Sequence, residues 1–324
     1  MNKIDFTQTT SENFNTHSLA SFQKQFGESS VYKAFCKALG KDSGSISNWN
    51  DIPFLPISFF KTHRVCSNAP IVHTFESSGT GGNRSQHLVT DLSLYEQSFF
   101  PTFKKYLETH IEQVSILALL PSYLERNNSS LVYMVNALLP EAHKTSGFFL
   151  NDFEALKNQL EENERSEIKT LLIGVSFALL DFSEQFPIAL KHTTIMETGG
   201  MKGRREELTR TELHAQLCNA FSVKEIHSEY GMTELFSQAY SKGKGVFECP
   251  PWMKVVCRDL QDPLTLLPPG KRGALNIIDL ANQNSCSFIA TEDVGIVHEN
   301  GTFEILGRMN HAEIRGCNLL FSES

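Results

Sequence analysis

The spacing of apolar residues predicts a helical start, followed by an extended segment. Apolar side chains recur at three- and four-residue intervals over residues 20–26 and 30–39, which predicts two helices with Gly40 as a stop. Residues 52–61 contain two prolines. Because proline disfavours both a helix interior and the helical conformation of the residue before it, this stretch is predicted to be extended and docked on the rest of the protein.

The middle of the chain alternates short apolar runs with amphipathic stretches. Strands are predicted at residues 73–76, 114–120, 170–175, 193–197 and 223–228. Helices are predicted at residues 91–110, 129–139, 153–164, 176–186 and 206–221, and Pro101 is expected to break the first of them in two. Alternation of this kind is typical of a mostly parallel sheet with flanking helices.

The last third has a different texture, because short strands are separated there by proline and glycine. They are predicted at residues 252–257, 273–279, 287–290, 294–298 and 302–306. The predicted fold class is therefore α/β, with mostly parallel sheet layers and flanking helices to about residue 240 and a β-rich, barrel-like portion at 245–306. Residues 1–306 are expected to form one large domain, and residues 307–324 a short tail.

Composition narrows the classes of function. The 324-residue chain has 29 Lys and Arg against 37 Asp and Glu, a net charge of −8, so nucleic acid is not an expected partner. The N-terminus lacks a signal-peptide pattern, and no apolar run approaches the roughly 20 residues of a membrane span, which predicts a cytoplasmic protein without a membrane span. Seven scattered cysteines without a CxxC pair predict reduced thiols.

The first stretch that suggests chemistry is a glycine- and hydroxyl-rich loop after the predicted strand at residues 73–76. Glycine permits the dihedral angles and the close approach with which backbone N–H groups bind phosphate oxygens. The loop lacks the spacing of a Walker or dinucleotide-binding motif, and a plain turn remains an alternative. Its residues are Ser77, Ser78, Gly79, Thr80, Gly81 and Gly82.

The second stretch is Tyr-Gly-Met-Thr-Glu at residues 230–234. The ring of Tyr230 could lie along a purine, and Gly231 would let the backbone approach it. Thr233 can donate to a phosphate, and Glu234 can hold Mg²⁺, which prefers oxygen ligands. The alternative is a strand end followed by a helix start with a solvated acid.

Two further stretches follow in the β-rich portion. Asp293 lies in Thr-Glu-Asp-Val-Gly at residues 291–295, where a carboxylate at a turn could accept both hydroxyls of a ribose. The commoner alternative is a turn in which Asp293 bonds its own backbone. Gly307 and Arg308 follow the last predicted strand, and alone they could be a turn glycine and a solvated arginine.

The order and spacing of these four motifs resemble those of the acyl-adenylate-forming (ANL) superfamily. Three further stretches, at residues 55–63, 121–134 and 314–319, resemble the LuxE family of acyl-protein synthetases within it. The resemblance covers most of the chain and implies the fold of the superfamily's large N-terminal domain.

The resemblance also implies a reaction and a set of site residues. ATP and Mg²⁺ would activate a carboxylic acid, a fatty acid in this family, as an acyl-adenylate that is passed to a protein thiol. The loop at residues 77–82 would contact the β- and γ-phosphates, Thr233 the α-phosphate, and Asp293 with Arg308 the ribose. Backbone at Gly199 and Gly200 would lie along the adenine and the acyl group. Cys317, two residues after Arg315, would be the acyl acceptor.

The sequence also departs from the superfamily pattern. Gly81 stands where a second threonine is usual, and the lysine that often follows the loop is missing, with Arg84 the nearest cation. The sequence continues only 16 residues past Arg308, which leaves no room for the domain that carries the adenylation lysine in this superfamily. Arg84, Lys61, Lys202 or a partner protein would have to supply that charge.

Two other functions remain open from the sequence. The protein could be an acyl- or aryl-CoA ligase, or a ligase that uses a carrier protein. It could also be a non-catalytic nucleotide-binding subunit of an acyl-transfer or reductase complex, which the missing domain and Gly81 would favour. Expected partners are the acid itself and an acyl-acceptor protein, an acyltransferase or a reductase subunit.

Overall fold

A computed structural model describes residues 4–78, 84–120, 128–200, 205 and 208–309. The helices are α1 (Phe14–Glu28), α2 (Ser30–Ala38), α3 (Phe59–Thr62), α4 (Leu92–Leu107), α5 (Ser130–Leu138), α6 (Phe153–Arg165), α7 (Ser176–Gln185) and α8 (Arg210–Phe221). The strands are β1 (Leu55–Pro56), β2 (His73–Glu76), β3 (Gln86–Val89), β4 (Ser115–Leu119), β5 (Gly147–Phe148), β6 (Thr170–Val175), β7 (Thr193–Thr198), β8 (His227–Tyr230), β9 (Ala239–Ser241), β10 (Val246–Phe247), β11 (Met253–Arg258), β12 (Arg272–Asp279), β13 (Phe288–Val297) and β14 (Phe303–Arg308).

The chain divides into two compact units. The first consists of Met1–Tyr95, Glu234–Ser237 and Glu248–Ser324, and the second of Glu96–Thr233 and Gln238–Phe247. The predicted mixture of a parallel layer and a β-rich portion is confirmed, because the second unit contains the parallel sheet and the first an antiparallel one.

In the first unit, β11 to β14 form an antiparallel sheet in chain order, and β1 pairs in parallel with β13. The β1 pairing joins Leu55 to Ile289 and Pro56 to Ala290, and the N–H of Ile57 donates to the carbonyl of Ala290 at 2.9 Å. The docked segment predicted at residues 52–61 is therefore held against the strand that contains Asp293, but its end is helical and not extended, because α3 begins at Phe59.

The N-terminal helices pack on the same strand through aromatic rings. Tyr32 of α2 is wholly buried and stacks on Phe288 of β13 with ring centroids 6.2 Å apart, and its hydroxyl donates to the carbonyl of Pro53. Gln25 of α1 donates to Ser287 Oγ and accepts from the Ser287 N–H, both at 2.9 Å. The helical start of the chain is thus part of the unit that contains its β-rich end.

In the second unit the strands lie in the order β5-β4-β6-β7-β8-β9, all parallel except β9, which runs antiparallel to β8. Every residue of β4 and β6 is buried, as expected for central parallel strands covered on both faces. Asn163 of α6 donates to Ser115 Oγ and Thr170 Oγ1, at 2.9 and 3.0 Å, which ties the helix to both strands.

The predicted break at Pro101 is wrong, because α4 is continuous from Leu92 to Leu107. Phe99 and Phe103, on either side of the proline, are wholly buried, and the Thr102 hydroxyl donates to the Ser98 carbonyl at 2.7 Å in the turn where Pro101 has no N–H. Burial of that apolar face stabilises the helix despite the lost backbone bond.

Two strand predictions also differ from the structure. The strands predicted at residues 287–290 and 294–298 are one strand, β13, so the segment 291–295 lies within a strand and not at a turn. The strand predicted at residues 223–228 is β8, which begins only at His227. Among the described residues, no helix is both long enough and apolar enough to cross a bilayer.

Candidate active site

The described residues that flank the glycine-rich loop lie just beyond the ends of β2 and β3 in the first unit. Beyond the last paired residues of the two strands, the Ser77 N–H donates to the Ser85 carbonyl, and the Ser85 N–H donates to Ser77 Oγ, both at 3.0 Å. These two bonds close the base of the loop, and Ser78 follows Ser77. The predicted phosphate-binding residues Gly79, Thr80, Gly81 and Gly82 lie outside the described residues.

Glu234 belongs to the same unit and is only 5% exposed. Burial raises the pKa of its carboxyl group, against a hydrogen bond from Ser85 and the positive charges of Arg308 and Lys61, which lower it. The alternative prediction of a solvated acid is therefore wrong. The Glu234 carboxyl group is buried beside the base of the glycine-rich loop. A buried carboxyl group that faces hydroxyl and cationic partners is typical of a functional site.

The backbone after Glu234 is held by two buried residues from the end of β12 and the following turn. Asp279 accepts the N–H groups of Phe236 and Ser237, both at 2.9 Å, and the Ser237 hydroxyl at 2.6 Å. Asn282 donates to the carbonyl of Glu234 at 2.8 Å and accepts the Phe236 N–H at 3.0 Å. The two side chains fix the segment that carries the Glu234 carboxyl group.

Asp293 and Arg308 are in direct contact across β13 and β14. They are register partners in the sheet, and Arg308 Nε lies 2.8 Å from Asp293 Oδ1. The Asp293 side chain is 6% exposed, whereas that of Arg308 is 70% exposed. The two residues that the resemblance assigns to the ribose therefore form one ion pair with an exposed guanidinium group.

Arg84 lies on the same hairpin as the glycine-rich loop, and its Nη1 is 3.7 Å from Glu76 Oε2. Part of its charge is thus already compensated within the hairpin. The candidate cation Lys202 and the candidate acyl acceptor Cys317 lie outside the described residues.

In the second unit, Tyr230 ends β8 and is 8% exposed, with its ring edge-on to Phe247 at 6.0 Å. Gly231 follows, and a Cβ at that position would lie 2.3 Å from Glu229 Oε1. The Thr198 hydroxyl donates to the carboxylate of the same Glu229. A side chain at position 231 would therefore displace the Glu229 carboxylate, and the approach of a purine to Gly231 stays a prediction. Thr233, the predicted α-phosphate contact, is the last residue of the segment Glu96–Thr233 of the same unit.

Gly199 and Gly200 follow β7 in the second unit. Gly199 has φ +67°, a left-handed conformation that favours glycine, and its carbonyl accepts from Ser176 Oγ at 3.3 Å. A Cβ at Gly200 would meet no atom of the described residues within 4 Å. The backbone at this strand end is thus tightly turned at Gly199 and open at Gly200.

Glu197, just before these glycines, is a buried acid that sequence reasoning missed. Its carboxylate lies 3.4 Å from Arg210 Nε, 3.5 Å from His214 Nε2 and 3.2 Å from Ser176 Oγ. Burial raises the pKa of this carboxyl group, but a hydrogen bond from His214, the charge of Arg210 and a hydrogen bond from Ser228 outweigh burial and lower the pKa overall. Glu197 is therefore a buried, charged residue, and Ser176, whose hydroxyl contacts its carboxylate, also contacts the carbonyl of Gly199.

We expect Glu197→Gln to flatten the acid dependence of stability. Because the folded-state pKa is lowered, the stabilisation is present above the unfolded value of about 4.3 and is lost as the pH falls through the folded value. Urea unfolding between about pH 7 and pH 3 should show a smaller loss of stability in the variant than in the wild type, below about pH 5. Glu141→Gln, at an exposed position, is the control, and equal slopes in all three proteins would contradict the prediction.

The described residues contain no cluster of three or more His, Cys, Asp or Glu side chains that could hold a metal ion. The Glu234 carboxyl group with the Ser85 hydroxyl instead offers a small set of oxygen donors. This set fits Mg²⁺, which enzymes commonly bind through one or two carboxylates together with substrate phosphates and water.

The sequence signals for Asp279 and Asn282 were weak. Asp279 ends an apolar strand, and Asn282 lies three positions later in a turn, a placement in which Asp and Asn side chains often bond local backbone. That their partners are Phe236 and Ser237 follows only from the tertiary fold.

The fold is that of the adenylate-forming enzymes. An open form of 2-hydroxyisobutyryl-CoA ligase in complex with 2-HIB-AMP and CoA matches with a TM-score of 0.66 and 11% identity over 93% of this chain and 71% of that one. ATP-bound MatB from Rhodopseudomonas palustris matches with a TM-score of 0.55 and 17% identity over 74% of this chain. The chain spans about half of the MatB structure, 48% of its length.

The chain belongs to the LuxE acyl-protein synthetase family, whose model matches residues 5–324. The long-chain-fatty-acid–luciferin-component ligase of Vibrio harveyi is 26% identical over 94% of this chain and 85% of its own length. The enzyme of the same name from Aliivibrio fischeri is 28% identical over 86% of this chain and 79% of its own length. The family predicted from the sequence motifs is confirmed.

Proposed function

We propose that this protein activates a long-chain fatty acid with ATP, forming an acyl-adenylate and pyrophosphate, and then transfers the acyl group to a protein thiol. The names of the relatives in Vibrio harveyi and Aliivibrio fischeri suggest the class of acid and a protein as acceptor. The observation that carries the proposal is the buried Glu234 carboxyl group beside Ser85, at the base of the glycine-rich loop and within the influence of two cations.

In the first step, a carboxylate oxygen of the fatty acid attacks the α-phosphorus of ATP. The bond from that phosphorus to the bridging oxygen breaks, and pyrophosphate leaves with the electron pair. Such a reaction needs mainly positioning and compensation of phosphate charge. Residues 77–82 are proposed to bind the β- and γ-phosphates, and Thr233 the α-phosphate.

Glu234 would hold Mg²⁺, which supplies Lewis-acid stabilisation of the phosphate charge when bound. Asp279 and Asn282 keep the Glu234 segment in place for this role. Asp293 and Arg308 are proposed to hold the ribose. In the second unit, Tyr230, Gly231, Gly199 and Gly200 are proposed to border the adenine and the acyl group.

In the second step, a thiolate attacks the acyl carbon, the bond to the adenylate oxygen breaks and AMP leaves. Cys317 is proposed as the acceptor within this chain, with Arg315 favouring the thiolate. The acyl group would then pass to a thiol on an acceptor protein by thioester exchange. Coenzyme A, whose thiol could accept the acyl group by the same reaction, is the alternative acceptor.

The proposal is tested by pyrophosphate release from ATP with acids of 2 to about 18 carbons. We expect release to depend on ATP, Mg²⁺ and acid, and to be greatest with long chains, because each buried methylene contributes about 0.8 kcal/mol. Absence of acid-dependent pyrophosphate with every acid would contradict an enzymatic function and favour a non-catalytic nucleotide-binding subunit.

The acceptor is tested by intact-protein mass spectrometry after incubation with ATP and the best acid. We expect one acyl group to be added to the wild type and none to Cys317→Ser, while pyrophosphate exchange persists in both. Cys218→Ser is the control, because Cys218 is a partly exposed cysteine on α8. Acylation that survives Cys317→Ser would remove Cys317 from the mechanism, and formation of acyl-CoA without protein acylation would favour coenzyme A.

A further inference from the structure

The segment that contains Lys61 is placed by the backbone of the first unit. β1 pairs with β13 three positions before Asp293, and α3 follows directly, with Phe60 buried and Lys61 exposed. The Ile57 N–H bond to Ala290 fixes the start of this turn. Lys61 is therefore carried on an element whose backbone is anchored to the strand of the proposed ribose-binding acid.

Contacts among three rings connect the same helix to the Glu234 segment. Phe60 packs edge-on against His87 of β3 at 5.9 Å, and His87 stacks on Phe236 at 4.6 Å. His87 is wholly buried, and its Nε2 is 2.8 Å from Ser285 Oγ, so its ring is held on two sides. Because Phe236 lies two residues after Glu234, the ring contacts keep the start of α3 near the buried carboxyl group.

Lys61 differs from the other cations near the site in its partners. Arg84 pairs with Glu76, and Arg308 pairs with Asp293. Within the described part of the chain, the Lys61 ammonium group has no carboxylate in ion-pair distance, although its charge acts on Glu234. An exposed cation held beside a buried acid without pairing to it is available to an anionic substrate.

We propose that Lys61 is a catalytic residue of the adenylation step, and that its ammonium group contacts the ATP phosphates beside Glu234. This assignment rests on the proposed function and identifies the cation that the glycine-rich loop lacks. As the bond between the α-phosphorus and the bridging oxygen breaks, negative charge grows on the leaving pyrophosphate, and Lys61 compensates it. No proton is transferred, because the ammonium group stays charged and pyrophosphate leaves as the anion.

The test compares Lys61→Ala and Lys61→Arg with Lys37→Ala, a control at an exposed lysine on α2 of the same unit. ATP–pyrophosphate exchange reports the first step, and AMP release from added acyl-adenylate reports the second. We expect Lys61→Ala to slow exchange by about 30- to 100-fold through kcat, and Lys61→Arg to recover at least about a third of the lost rate on a logarithmic scale. AMP release should change by less than about threefold, because no pyrophosphate leaves in that step.

Exchange within about threefold of the wild type in Lys61→Ala would overturn the assignment, as would an equal loss in both steps, which indicates a structural role. Thermal unfolding of each variant checks that α3 remains folded. If the wild type itself shows no exchange with any acid, the proposed function is overturned and the role of Lys61 with it. An active wild type with an equally active Lys61→Ala overturns the role of Lys61 alone.

Discussion

Glu234→Gln is expected to slow pyrophosphate release by about a thousandfold while the protein stays folded. The wild-type carboxyl group is 5% exposed, and burial raises its pKa, so at neutral pH its ionised form lowers the stability of the folded state. A neutral glutamine of the same shape removes that penalty. The variant should therefore unfold at the same or a higher temperature than the wild type and yet lose the oxygen ligand for Mg²⁺.

Two measurements separate these effects. The Mg²⁺ dependence of ATP binding, followed with a fluorescent ATP analogue, should be present in the wild type and largely lost in Glu234→Gln. Glu299→Gln changes an exposed acid in the turn between β13 and β14 and should alter neither quantity. Near-normal pyrophosphate release by Glu234→Gln would refute the proposed role of this residue, whatever its stability.

The elements that local patterns predicted well are those whose burial follows directly from the sequence. The run at residues 170–175 is apolar enough to be covered on both faces, and β6 occupies those residues. The motif at residues 230–234 likewise indicated a functional role for Glu234 from the sequence alone. In both cases the information lies within a few consecutive residues.

Contacts between distant segments could not be predicted in this way. Asp279 bonds backbone N–H groups 42 and 43 positions earlier, and β1, only two residues long, pairs with a strand in the last quarter of the chain. Neither relationship leaves a periodic signal, because each depends on which surfaces the fold brings together.

The segment at residues 291–295 shows why a turn was predicted and a strand formed. Acidic residues followed by glycine are typical of turns, but here Asp293 pairs with Arg308 across the sheet. A Cβ at Gly295 would lie 2.1 Å from the Glu304 carbonyl, so glycine is required there by the close approach of β14. The same residues form part of a strand here because the partner strand β14 supplies their contacts.

Asp279→Ala is expected to reduce the stability of the protein by about 3 to 5 kcal/mol and to weaken ATP binding as well. The side chain is wholly buried and accepts four hydrogen bonds, from the N–H groups of Phe236, Ser237 and Ala281 and from the Ser237 hydroxyl. Alanine leaves these donors without an acceptor in the interior of the protein. An unpaired buried donor there costs free energy. The backbone that follows Glu234 then loses its anchor.

Urea unfolding measures the first effect, and the KM for ATP in pyrophosphate exchange measures the second. Asp259→Ala is the matched control, because Asp259 also accepts two backbone N–H groups, from Gln261 and Asp262, but in an exposed turn. Its removal should change both quantities far less. If Asp279→Ala were destabilised but kept the wild-type KM, Asp279 would support the fold without positioning Glu234; an unchanged stability would show that water replaces the lost acceptor.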